Sequence, residues 1–388
     1  MAGIYIHIPF CKQACHYCNF HFSTSMKLKN GFLQALLNEI NLQSHFLKNE
    51  VVETIYFGGG TPSLLSGDEI YGILNAINTN FSVTDDVEIT LEANPDDITM
   101  ERLTAWEQTR INRLSIGVQS FFEVDLKWMN RAHNAAQAED SIKMAQQAGF
   151  SNITIDLIFG TPTLTDTNWR YNIEKAISFG IPHLSCYSLT VEPRTALDLM
   201  IRKKSVAPVS SDDQARQFLL LMAWLTEAGY EQYEISNYAL PGRRSRHNSS
   251  YWQGKKYLGL GPSAHSFNGQ IRQWNISNNA LYIESLRRDT IPFELETLTD
   301  TQKLNEWVMT SLRTKEGLQL YSGSQHLNDK IIAILKKKSN KYLQQNLLTE
   351  DGDAIILTSQ GKLYADGIAA ALFFEEAEIK DCVYAAGF

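Results

Sequence analysis

Between residue 4 and about residue 190, short apolar, β-branched runs alternate with turns rich in Gly, Pro and Thr and then with amphipathic stretches, which is the pattern of strand followed by helix. The runs cover residues 4–8, 54–57, 87–91, 113–118, 153–159 and 183–189. They begin roughly 25–50 residues apart, the spacing that parallel strands joined by helical crossovers require. Between them Phe32, Leu33, Leu36, Leu37 and Ile40 recur at helical spacing, and the stretch 140–148 stops at Gly149, a residue suited to the left-handed turn that ends a helix. Six such units predict an α/β fold, a partial (β/α)6 barrel.

From Ser211 the pattern changes. A long helix is predicted over 212–228, capped by Ser210 or Ser211 and stopped by Gly229. A Tyr-, Gly- and Asn-rich stretch to about residue 279 reads as a connector carrying loops. From about 292 to 375 the pattern predicts helices over 301–312, over 329–335 and near Tyr342. A hairpin over 347–357 around Asp351-Gly352 and a final helix starting near Ser359 complete a smaller, winged-helix-like unit. The expected limits are a barrel over 1–235, a connector over 236–290 and the C-terminal unit over 291–388.

Composition narrows the function classes. The chain has 388 residues, enough for about two domains, and a formal net charge of −8, which argues against broad binding to nucleic acid or anionic membrane. Lys336, Lys337 and Lys338 read as a solvated helix face. No run of 18 apolar residues occurs, and the stretch from Met1 to Pro9 lacks the layout of a secretory signal, so a cytoplasmic protein is expected. The cysteines number five, with three crowded at positions 11, 15 and 18; this suits a metal in a reducing compartment better than a disulfide framework.

Those three thiols lie in Cys11-Lys12-Gln13-Ala14-Cys15-His16-Tyr17-Cys18, immediately after the first predicted strand. Soft thiolates at this spacing select an iron–sulfur cluster with one open iron, or zinc completed by a histidine such as His16 or His21. Cys186, inside an apolar run, reads as a buried structural thiol, and Cys382 is remote in sequence. A second signal, Gly58-Gly59-Gly60-Thr61-Pro62-Ser63, follows the second strand; glycines there let the backbone approach a ligand closely. Glu92 follows the third run, Gln119 the fourth, and Asp156 lies inside the fifth; a parallel barrel gathers the C-terminal ends of its strands at one mouth. A carboxylate inside the apolar run around Asp156 needs a polar cavity or a cation.

Together these residues resemble the radical S-adenosylmethionine superfamily, and within it the HemN/HemW group, which holds oxygen-independent coproporphyrinogen III oxidase and a haem chaperone. Further stretches carry that resemblance: Tyr5-Ile6-His7-Ile8-Pro9-Phe10, Leu91-Glu92-Ala93-Asn94-Pro95, Ser115-Ile116-Gly117-Val118-Gln119-Ser120-Phe121, Asn130-Arg131-Ala132-His133 and Asp156-Leu157-Ile158-Phe159-Gly160. The resemblance implies a [4Fe–4S] cluster on Cys11, Cys15 and Cys18. It also implies S-adenosylmethionine held by Tyr5, Tyr17, Gly58, Gly59, Gly60, Thr61, Glu92, Gln119, Arg131 and Asp156.

Two departures separate the chain from the oxidase. Cys18-Asn19-Phe20 stands where the oxidase carries Cys-Gly-Cys, and only ten residues precede Cys11. Arg246-His247-Asn248-Ser249-Ser250-Tyr251-Trp252 resembles the haem-associated His-Asn-x-x-Tyr-Trp pattern of the chaperone. By that resemblance His247, Asn248, Tyr251 and Trp252 meet haem, Arg243, Arg244 and Arg246 face its propionates, and His133 and His265 are further candidate ligands. The function implied is a haem chaperone that delivers haem to an apo-haemoprotein. The alternative is a radical enzyme acting on a porphyrinogen. Association with a membrane through the acceptor, and a homodimer, fit the same reading.

Overall fold

In the computed structural model, which describes residues 1–48, 50–321 and 328–379, the six runs form six parallel strands paired in chain order. They are β1 (Ala2–Ile8), β2 (Val52–Gly59), β3 (Val83–Ala93), β4 (Arg113–Gln119), β5 (Ile153–Phe159) and β6 (His183–Ser188). Successive side chains point to opposite faces. One face carries Ile4, Ile6, Ile55, Phe57, Leu114, Ile116, Ile155 and Leu184, which join the main hydrophobic cluster with residues of the crossover helices. The other face carries Tyr5, Tyr56, Glu92, Ser115, Asp156 and Ser185 toward the interior of the curled sheet. The expected α/β partial barrel is therefore present, and its inner face is polar.

Caps place the helices as the sequence indicates. Asn134 forms a capping box on the helix Ala135–Gln147, with Gly149 beyond its end at φ +91°. Ser210 caps Ser211–Glu227.

The expected connector is different. Instead of loops it supplies β7 (Glu231–Glu234), β8 (Asn237–Ala239), β9 (Lys256–Leu260), β10 (His265–Phe267) and β11 (Ile271–Asn275), which with β12 (Phe293–Thr297) extend the sheet to twelve strands. The order is β12-β11-β10-β9-β1-β2-β3-β4-β5-β6-β8-β7. β9 runs parallel to β1, so chain far along the sequence covers the side of β1 away from β2. Strands of three to five residues are too short to register an alternating pattern, and their Gly and Asn content hides them further. The stretch also holds a helix, Arg246–Trp252, that carries the His-Asn-x-x-Tyr-Trp residues.

The C-terminal unit has its own hydrophobic cluster, built on Leu304, Val308, Ile331, Leu335, Ile355 and Ile368. Its helix Asp300–Leu312 and the hairpin of β14 (Leu348–Asp351) and β15 (Ala354–Leu357) agree with expectation, and β13 (Leu318–Gln319) adds a third strand to the hairpin. Two details differ. One continuous helix, Asp329–Gln344, replaces the two predicted there. The last helix begins at Ala365 rather than near Ser359, because the chain first makes a 3-10 turn over Gly361–Tyr364, with Thr358 accepting the Gly361 N–H ahead of it. Lys336 bonds the Tyr321 hydroxyl and Lys338 pairs with Glu378. Among the described residues, which do not include Cys382, no helix is long and apolar enough to cross a membrane.

Candidate functional site

At the C-terminal ends of the parallel strands lies a cavity of about 460 Å³ lined by Cys11, Cys15, Tyr17, Cys18, Gly59, Gly60, Thr61, Glu92, Gln119, Arg131 and Asp156, among others. The cysteine loop is fastened at its start, where Cys11 N–H bonds Ser23 O and Ser23 N–H bonds Pro9 O. It is fastened again in its middle, where Asn130 donates to Ala14 O at 2.7 Å and His16 N–H reaches Met129 O at 3.1 Å. Lys12 points away from the cavity residues to pair with Asp96 and Asp97.

All three thiols are free. Burial pushes Cys11 up to about 11, against a hydrogen bond from Thr61, and burial also raises Cys18. Cys11 and Cys18 are thereby held as thiols, and a metal that binds them displaces those protons. Among the described residues no three His, Cys, Asp or Glu side chains converge at single-ion geometry. Neither histidine considered for zinc lines the cavity with the thiols; His16 Nδ1 lies 2.9 Å from Trp128 O, and His21 Nε2 lies 2.7 Å from Asn279 Oδ1. Thiols that share a cavity without meeting at one point suit a cluster, whose cysteines each take a different iron.

The glycine loop owes its composition to packing. A Cβ on Gly60 would stand 2.7 Å from Phe10 O, and one on Gly59, at φ +105°, would stand 2.5 Å from the His7 ring. This close approach brings Thr61 against Cys11. Gly58 lies behind the lining, where a Cβ would touch Tyr5, Tyr56 and Glu92. Tyr5 is likewise behind it, its hydroxyl 3.2 Å from His7 Nδ1.

The acids and the arginine complete the wall. Burial and the neighbouring Asp156 push Glu92 up to about 7, although Tyr56 donates to it at 2.8 Å. Burial pushes Asp156 up to about 6, against hydrogen bonds from Ser185 and Ser115. Arg131 donates to Asn94 Oδ1 at 2.7 Å, Gly117 O at 3.0 Å and Cys15 Sγ at 3.3 Å, while its Nε is buried without a partner. Gln119 closes β4 at φ +64°, a left-handed conformation unusual outside glycine, and its amide folds over the bare Gly117. The set offers acidic oxygens, an amide and an unsatisfied guanidinium N–H, the donors and acceptors that an amino acid joined to a nucleoside demands.

The His-Asn-x-x-Tyr-Trp helix lies below, at the floor of the barrel. Glu88 of β3 accepts the N–H groups of Arg246 and His247, a carboxylate seated on a helix N-terminus. His247 is 1% exposed, with Nδ1 2.8 Å from Thr54 Oγ1 and Nε2 2.9 Å from the Tyr251 hydroxyl. Its ring stacks on Tyr56 at 4.9 Å, and burial, with Arg113 nearby, holds its pKa down at about 3. Trp252 lies under the Arg313 guanidinium. Of the four haem-associated residues only Asn248 lines the cavity. Arg244 is paired with Glu231 and Glu316, and Arg246 with Asp86. His133 is buried on Val118 O, whereas His265 is exposed beside Trp274.

Residues not singled out from the sequence also line the cavity: Phe20, Phe22, Asn94, Ser185, Tyr187 and Leu189. Asn94 and Ser185 could have been found by alternation, being two residues beyond Glu92 and two beyond His183 on the same faces. Tyr187, two beyond Ser185 on the same strand, carries the same signal, whereas Phe20, in the loop after β1, carries none.

Comparison with known proteins matches residues 5–176 to the radical SAM superfamily and residues 298–364 to the HemN C-terminal domain. Proteins described as heme chaperone HemW align along nearly the whole chain. That of Mycobacterium tuberculosis is 33% identical over 95% of this chain and 94% of its own. That of Bacillus subtilis is 31% identical over 97% and 100%, and that of Escherichia coli is 33% identical over 94% and 96%. Among solved structures, coproporphyrinogen III oxidase (HemN) from Escherichia coli superposes with a TM-score of 0.80 at 23% identity, covering 96% of this chain and 90% of that one; it shares the fold.

Proposed function

The chain belongs to the HemW family of the radical S-adenosylmethionine superfamily, and from that membership we propose that it binds haem and hands it to apo-haemoproteins. The observation that carries this reading is the likeness to haem chaperones along the whole chain rather than over the barrel alone. In this reading Cys11, Cys15 and Cys18 hold a [4Fe–4S] cluster, with Thr61 and Arg131 beside them. Arg131, through its unpartnered Nε, and Asp156, Glu92 and Gln119 hold S-adenosylmethionine, with Tyr17 and the Gly59-Gly60 backbone forming the adjacent wall. Tyr5 and Gly58 act from behind, setting Tyr56 and Glu92. When bound, the cluster supplies an electron and the cofactor a sulfonium that accepts it. The chain's own residues position both and keep Glu92 and Asp156 in a dry pocket, where their charge responds to a cationic ligand.

The helix carrying His247, Asn248, Tyr251 and Trp252 presents Asn248 to this cavity. His247 reaches a haem iron only if it gives up Thr54 and Tyr251. The experiment is anaerobic cluster reconstitution followed by haem titration and transfer to an apo-haemoprotein. Expected are about four iron and four sulfide per chain, saturable haem binding and transfer. Absence of haem binding, together with turnover of coproporphyrinogen III, would overturn the chaperone in favour of the radical enzyme.

A further inference from the structure

We propose that the mouth of the cavity is a slot for one flat conjugated macrocycle, gripped between Phe20 and Tyr187; the proposal rests on the haem-binding reading and states where haem sits. Phe20 lies in the loop that leaves β1, and Tyr187 lies near the end of β6. These are the first and last strands of the run β1 to β6, separated in the sheet by four others. Both residues nevertheless line the same cavity, brought to it from the two ends of that run.

Both are aromatic and both keep exposed surface, Phe20 67% and Tyr187 43%, although the Tyr187 hydroxyl reaches inward to Ser185 and the acids. Phe22, Ile158 and Leu189 continue an apolar lining near them, while the thiols, acids and Arg131 form the polar part of the same cavity. Exposed rings lining a cavity leave π-faces and apolar area unburied, and a flat apolar ligand can cover both at once. Haem has that shape, with its charged propionates at one edge, free to remain in solvent. The floor offers no comparable opening, since both nitrogens of His247 have partners and its ring is stacked on Tyr56. Phe20 also occupies the position where the oxidase pattern places a further cysteine, so this chain presents a ring where that enzyme presents a thiol.

The test uses the full-length, cluster-reconstituted protein titrated with haemin and, separately, with S-adenosylmethionine. Phe20→Ala and Tyr187→Ala are each expected to weaken haemin binding about tenfold, with Phe20→Trp and Tyr187→Phe restoring it. The loss for haemin should exceed any loss for S-adenosylmethionine. Unchanged haemin affinity in the double alanine variant overturns the slot while leaving the chaperone reading intact. A loss confined to S-adenosylmethionine overturns it too, assigning the rings to the cofactor's base. Failure of the wild type to bind haemin removes the underlying reading and the slot with it.

Discussion

The two ends of the barrel interior use the same inner faces of the same strands to opposite purposes. At the floor most polar groups are satisfied by one another, His247 by Thr54 and Tyr251 and Glu88 by the backbone of the helix it caps, with Arg113 Nε, near His247, an exception. At the mouth they are left wanting. Arg131 keeps a buried N–H without a partner, Glu92 and Asp156 crowd their charges, three thiols stand outside any disulfide, and two aromatic rings keep exposed surface. A satisfied polar network holds a fold in one arrangement, whereas an unsatisfied one is stabilised by what it binds. On the proposed function the difference favours ligand binding at the mouth and support at the floor, even though the residues that most resemble a haem pattern lie at the floor.

The largest test of that division is at the cysteines. Replacing Cys11, Cys15 or Cys18 with Ser should abolish uptake of iron and sulfide, measured chemically and by visible absorption, and move the melting temperature of the apo chain little. A strongly destabilised apo variant would mean that the mouth, too, is part of the structural core. Next comes the floor. His247→Ala removes a stacked ring and two hydrogen bonds from a buried site, and should cost about 3 kcal/mol in denaturant unfolding. Undiminished stability with lost haem binding would reverse the comparison and make His247 the ligand.

A smaller effect follows from the acids. Glu92 and Asp156, held up at about 7 and about 6, carry protons at pH 5 and lose them by pH 8. A cationic ligand favours the charged forms, so S-adenosylmethionine affinity should rise as pH rises, about tenfold from pH 6 to pH 8. A flat profile by equilibrium dialysis would show that neither carboxylate faces the cation. The smallest effect belongs to the rim, where Phe20→Ala should change stability by no more than about 0.5 kcal/mol in thermal or denaturant unfolding. A larger loss would show that its ring is packed in the fold instead of waiting for a ligand.

Much of the barrel was legible because its strands repeat a period-two pattern over six or more residues, long enough to stand out. Within the run around Asp156, the inward Thr154, Asp156 and Ile158 alternate with outward Ile155 and Leu157, so the pattern held both the strand and the face of the site. The cysteine loop, the glycine loop and Glu92 were legible because each sits at a strand terminus, and parallel strands bring their termini together; Asp156, in the middle of β5, was legible as a carboxylate inside an apolar run. The short strands from β7 to β11 were not legible. They are held by neighbours remote in sequence, as β9 is by β1, and their own composition favours turns.

The sequence by itself determined which side chains face the barrel interior, because alternation along a strand is a local property of the backbone. It also determined the chemistry available there, from the thiols to the paired acids. Only the tertiary structure decided which of those residues are open to a ligand. His247 and Phe20 differ little as letters in a chain, yet one is sealed by Thr54, Tyr56 and Tyr251 and the other is left in water. Burial is set by what distant segments place on top of a residue, and no local pattern carries that information.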